Sequence, residues 1–402
     1  MKMQRIVFLL LVLAGVQYFA NAQIAVRGDI VYTMNGEAIQ NGVVLINGKT
    51  IERVGAIDDI TIPDEYEVYS GSVVTPGIID ARSVVGLAGM YNYDHDQDQI
   101  ELSDPVQPEL RAIDAYNPRE NLIDFLLGLG VTTLHTGHAP GALASGQTMI
   151  VKTGGPYKEA VIDSAKMVVF TLGPRVTSNF STPGTRSKSI AMLRSEFFKA
   201  EEYAQRRASD DPERRPSPDI KLETLARVLD GELTALITAH TATEILAALR
   251  LAGEFGFQPV LAGASEAYLV IDELKGADVP VIIHPTMIRT FGDAQNASFE
   301  TAAKLSEAGI RVVFQSGYES YVPKTRVVHY EAAIAVANGL PFEQGLASVT
   351  INTAELLGID NRVGSLEAGK DADVVIFDGD PFEYLTNVET VIVDGKVVKN
   401  RE

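Results

Sequence analysis

The stretch "LTALITAHTATEILAALRLAGEFGFQPVLAG", residues 233 to 263, is an apolar run ending at a histidine, then a helix-type segment, then a second apolar run ending in glycine. Runs apolar on both faces, separated by an amphipathic helix, belong in a parallel sheet covered by helices. The pattern repeats outward: "GVTTLHTG", "AKMVVFTLG", "VPVIIHP" and "IRVVFQSG" are further short runs, and "SFETAAKLSEAG" is another intervening helix. With the run at 72 to 80, seven strands are counted, and the chain length favours an α/β fold closed into a (β/α)8 barrel of the TIM type. No strand can be placed near 174 to 230, where "SKSIAMLRSEFFKAEEYAQRRA" reads as a charged helix and "SDDPERRPSP" as a solvated loop. A helical insertion and an irregular barrel both stay open.

Both chain ends read differently. "IAVRGDIVYTMNGEAI", "GVVLINGKTIERVG" and "EVYSGSVVTPG" carry Asn-Gly at 35 to 36 and 47 to 48, while "ADVVIFDGDP" and "VETVIVDGKVVKN" carry Asp-Gly at 378 to 379 and 394 to 395. Such dipeptides are hairpin signals. The expected organisation is a small β-sandwich domain built from residues 23–74 plus 363–402, around a barrel of 75–362. Residues 1–22 read as a cleaved secretory signal peptide, because Lys2 and Arg5 precede the apolar run Ile6 to Ala14 and the small-residue site Ala20-Asn21-Ala22 follows. A secreted or periplasmic protein is expected, with no later segment long enough to span a membrane.

The chain contains no cysteine, so disulfides and thiolate ligands are excluded and any metal would rest on imidazole and carboxylate. Net charge is −19, or −21 without the leader's two basic residues, and the one dense basic run, Arg206 to Arg215, is interleaved with acids. Nucleic acid is therefore not an expected partner. No G-x-S-x-G elbow is present, which argues against a serine hydrolase.

"VVTPGIID" entering a barrel after a β-rich start, "GVTT" on the next strand, "TINTAELLGI", and then "VGSLEAGKDADVVIFDGDP" with "VIVDGKVV" resemble the amidohydrolase superfamily, in its imidazolonepropionase-like and prolidase-like branch. That resemblance implies a hydrolase acting on carbon–nitrogen bonds other than peptide bonds, with one or two divalent metals, usually zinc. It implies an H-x-H pair after "PGIID", a His ending strand five, another ending strand six, and an Asp ending strand eight. Here the pair is Arg82 and Val84, the strand-six position near Ala262 has no imidazole, and Ser316 or Gly317 stands where the Asp is expected. His240 is the one ligand of this set that survives. No cofactor is expected on that count, since a single imidazole holds zinc weakly.

In a barrel the residues at the C-terminal ends of the strands face the site. The candidate catalytic groups are therefore His240, Arg82 and His138, with His135, Gly141, His284 and Ser316 as candidates for substrate binding. His135 and His138 with His240 could also form a replacement imidazole set, although a strand cap at His135 and a loop-orienting His138 explain them more simply. Asp94, Asp96 and Asp98 have the spacing of a calcium loop, but Gln99 and Pro105 break the EF-hand pattern. His329 reads as structural. Three functions compete: a secreted metal hydrolase, a metal-free descendant using Arg82 with His240 or His138, and a non-catalytic barrel that binds a small molecule or partner. Oligomeric state is left open.

Overall fold

A computed structural model describes residues 23–401, apart from 92, 287–289 and 319–326. The expected leader lies outside the described residues. Among these residues no helix is long and apolar enough to cross a membrane.

The chain starts with β1 (Gln23–Val31), β2 (Ile39–Asn47), β3 (Thr50–Ala56) and β4 (Glu67–Pro76). It then enters the barrel through β5 (Ile78–Ser83) and β6 (Val131–Gly137), which pair in parallel. Next comes β7 (Ala144–Lys152), with the short β8 (Val161–Asp163) on its edge. The strands β9 (Met167–Thr171), β10 (Thr234–Ala239), β11 (Pro259–Gly263), β12 (Val281–Ile283) and β13 (Val312–Phe314) follow in parallel order. The chain returns to the first sheet with β14 (Val374–Phe377), β15 (Val388–Val393) and β16 (Lys396–Asn400).

The eighth barrel strand is β7, and it runs antiparallel to both β6 and β9. The sequence reading took its first residues for a glycine-rich loop. Its opening "ASGQT" is small and polar, so it lacks the apolar run that marks the other strands. Gly146, its third residue, sits at φ +128, where a Cβ would lie 2.5 Å from the His138 ring. Residues 174–230 hold the helices Pro174–Asn179, Arg186–Arg207 and Ile220–Leu229, in keeping with the helical reading of that region.

Strand alternation accounts for the core. Ile79, Ala81, Ile150, Met167, Val169, Leu236, Val260, Ala262, Ile282 and Val313 fill the barrel, with Ala354, Leu357, Ile359 and Val363 packed onto the same cluster. Their neighbours Ile78, Val168, Phe170, Ile237, Leu261, Val281 and Phe314 face the covering helices. Each such side chain contributes roughly 1.5–3 kcal/mol by leaving water. The barrel is nearly closed: β13 and β5 lie side by side, and the Ser316 amide donates across the seam to Asp80 Oδ1 at 3.1 Å.

The chain-end strands form one seven-stranded sheet in the order β16-β15-β14-β4-β1-β2-β3, so β4 and β14 join the two ends. Ile24, Val26, Val44, Ile46, Val74, Val374, Ile376 and Ile392 share its core. A buried cation ties this sheet to the barrel. Lys152, at the end of β7, reaches Asp371 at 2.8 Å and Asp373 at 3.1 Å, and also pairs with Asp394.

Candidate active site

Arg82 leaves β5 fully buried, and its guanidinium donates to the Ser83 carbonyl at 3.1 Å and to the His138 carbonyl. Burial pulls its pKa down to about 9, so it keeps its charge at neutral pH. Val84, two residues on, packs with Ala88, Ala139, Tyr318 and Ile100 in an apolar cap. Asp80 stands two residues before Arg82. Its Oδ1 accepts from the Arg82 and Ser316 amides, both at 3.1 Å, while Oδ2 has no hydrogen-bond partner among the described residues. Loss of solvent pushes this carboxyl up to about 6, against the pull of those hydrogen bonds.

Several other buried polar atoms around the barrel end lack partners among the described residues: Ser83 Oγ, Thr133 Oγ1 and both polar atoms of Gln315. A buried polar group left unsatisfied costs on the order of 1–3 kcal/mol, so a concentration of them marks a place built to receive water or a ligand. Burial and the nearby Arg82 charge push His138 down to about 4, which keeps it neutral.

His240 ends β10 as expected. Its Nδ1 lies 2.8 Å from Ser265 Oγ and its amide donates to Glu244 Oε2 at 3.2 Å. Gly263, at φ +83, makes room for the ring, since a Cβ there would lie 2.6 Å from it. His284 packs near the Tyr318 ring, 5.4 Å between centroids, and Arg175 lies over that ring at 4.7 Å.

Two candidates for substrate binding are already engaged within the fold. His135 places Nδ1 2.7 Å from the Ala81 carbonyl and Nε2 2.6 Å from Thr148 Oγ1, so neither nitrogen is open to a ligand. Burial lowers it to about 3, and it works as a neutral brace between β5, β6 and β7. Gly141 donates its amide to Thr171 Oγ1 at 2.9 Å and accepts from Asn179. His329 is buried, lowered to about 4 by desolvation, and its ring lies tilted against Tyr330. The acidic loop runs through a short 3-10 turn at Asp94–Asp96, and Asp96 faces His95 at 3.6 Å. Among the described residues no group of three or more His, Asp or Glu side chains is arranged to hold a metal ion.

Sequence reasoning missed Asp80, Gln315 and Thr133. Asp80 was legible in "PGIIDAR" as the acid beside the odd arginine, whereas Gln315 and Thr133 carry no sequence signal apart from strand parity. The fold and site define a TIM-type α/β barrel with polar groups gathered at the C-terminal strand ends, the face where such barrels place their sites.

The amidohydrolase family's sequence profile matches residues 137–398, and the chain belongs to the amidohydrolase family. It is 26% identical over 369 residues to the amidohydrolase tasK of Hapsidospora irregularis, covering 83% of this chain and 37% of that protein. It is 29% identical over 114 residues to an imidazolonepropionase of Thermoplasma volcanium, covering 27% of this chain and 28% of that one. Both matches span well under two thirds of the relative's length. An amidohydrolase from Thermotoga maritima superposes with a TM-score of 0.87 at 28% identity, over 94% of this chain and all of the other.

Proposed function

We propose that the chain is an exported family member with a degenerate metal site, whose barrel end takes a small molecule bearing a carbon–nitrogen bond other than a peptide bond. Arg82 carries this reading. It occupies the first position that the resemblance assigns to an imidazole, and its guanidinium is held there by two carbonyls. A guanidinium has no lone pair to donate and repels a divalent cation. Val84 offers a methyl surface, and His240 turns one ring nitrogen to Ser265. Zinc needs three or four nitrogen or oxygen donors at tetrahedral angles. The residues at the family's ligand positions do not fit that metal, so no step is derived through it.

Hydrolysis without the metal falls to Asp80. A carboxyl poised near 6 with one free oxygen suits a general base at neutral pH. It would accept a proton from water attacking the amide carbon and return it to the departing nitrogen, with Arg82 supplying positive charge nearby. A second reading, a non-catalytic binding barrel, is favoured by the commitment of the Arg82 donors to protein carbonyls. Export is supported by the charged, apolar and small-residue order of 1–22.

Metal analysis tests the central point. The purified protein should hold well under one equivalent of zinc and melt unchanged in chelator, while Arg82→His with Val84→His should bind zinc more tightly than the parent. One firm equivalent in the parent defeats the proposal. A panel of lactams and acyl amides then separates the readings, because consumption abolished by Asp80→Asn means an enzyme and stable binding means a receptor-like barrel.

A further inference from the structure

A second cavity, of about 330 Å3, lies away from the barrel interior, between the first turns of the helices Arg186–Arg207 and Ala242–Phe255. Its floor is Leu172 and Gly173, just past the end of β9. Helical spacing sets its walls. Arg186, Ile190 and Arg194 project from one helix at four-residue steps, and Thr243, Ala247 and Arg250 line the facing helix. Ala247 and Gly173 are small, which is why the helices leave a hole.

The chemistry of the lining is one-sided. Three arginines, Arg186, Arg194 and Arg250, line it in a chain whose acids outnumber its bases by 53 to 34. Arg194 spends two donors on Glu254, at 2.6 and 2.7 Å. Arg186 and Arg250 are exposed and have no acidic partner among the described residues. Ser187 and Thr243 add hydroxyls. The opposing charge in the lining is Glu244, which is buried and turned to its own helix start, its Oε2 accepting from the His240 and Thr241 amides. Donors therefore exceed acceptors, and the ligand that complements them is rich in acceptors and negatively charged.

We propose that this cavity binds a phosphorylated small molecule, its phosphoryl group between Arg186 and Arg250 and its organic body on Leu172, Ile190 and Ala247. A phosphoryl group presents three acceptor oxygens, matching two guanidinium forks and the flanking hydroxyls better than the two oxygens of a carboxylate. The volume leaves space for a body beyond the phosphate itself. This cavity opens between two covering helices beside the end of β9, and its ligand is proposed independently of the chemistry at the strand ends.

Titration calorimetry of the whole chain with phenyl phosphate at low salt tests it. Saturable one-to-one binding is expected, weakening as salt is added, and phenylacetate should bind more weakly. Arg186→Gln with Arg250→Gln should weaken phenyl phosphate binding by roughly tenfold or more, since two charge-assisted contacts are lost. Both positions are exposed, so the melting temperature should hold. Ala247→Leu fills the hole without changing charge and should also abolish binding. Absence of saturation in the unmodified protein overturns the proposal, as does retention of affinity within twofold in the arginine variant or equal affinity for phenylacetate.

Discussion

Replacing Lys152 with Met should destabilise the protein strongly at alkaline pH and much less at acid pH. Lys152 and Asp373 are almost wholly buried, with side-chain exposures of 1% and 3%, whereas Asp371 and Asp394 keep 18% and 22%. The latter two can turn to water when the ammonium is gone. Asp373 cannot, and desolvation already holds its carboxyl up at about 6 despite the cation beside it. Removing one partner of a buried pair costs about 3–5 kcal/mol, chiefly through the charge left behind. That charge can be neutralised by a proton, so the cost falls by up to about 1.4 kcal/mol per pH unit below the shifted pKa. Urea unfolding of the variant at pH 8 and pH 5 should therefore give a deficit of about 4 kcal/mol at the first and about 2 kcal/mol or less at the second. Lys152→Met with Asp373→Asn should recover most of the loss. A deficit below about 1 kcal/mol at pH 8, or one that does not change with pH, would refute the reasoning that this cation holds the sheet to the barrel.

Gly263→Ala drives a Cβ to 2.6 Å from the His240 ring at a backbone φ of +83, and should lower stability by about 2–4 kcal/mol in a thermal melt and shift the His240 imidazole resonances; unchanged resonances would show that the ring does not depend on that glycine. Acid should unfold the protein early. His135, His138 and His329 are held neutral by burial, with folded values of about 3, 4 and 4 against an ordinary 6.5. Their contribution is complete above about pH 6.5 and is lost as pH falls toward those folded values. Asp80 and Asp373 act in the opposite sense, since their raised values mean that the ionised forms cost stability above about pH 6 and that acid relieves the cost. The imidazoles outweigh the two carboxyls by about four pKa units, a net loss on the order of 5 kcal/mol between pH 7 and pH 3.5. A urea midpoint that stays flat over that range would contradict the burial argument.

The barrel, its helical stretch after β9 and the joining of the two chain ends were legible in sequence because each rests on local patterning: apolar runs, helical periodicity and Asn-Gly or Asp-Gly turns. The identities of Arg82, Val84 and Ser316 at the strand ends were legible too, since residue identity is a property of the sequence alone. Three things waited for the tertiary structure. The direction of β7 depends on which neighbours it pairs with, and an opening of small polar residues carries no apolar signal for that. The fate of each histidine depends on what its ring meets: the His135 ring finds Ala81 and Thr148, while the His138 ring, three residues later, lies within the field of the Arg82 charge. The shift of Asp80 and the charge of Lys152 are set by desolvation and by carboxylates 219 to 242 residues away in the chain, a distance over which sequence spacing says nothing and packing decides.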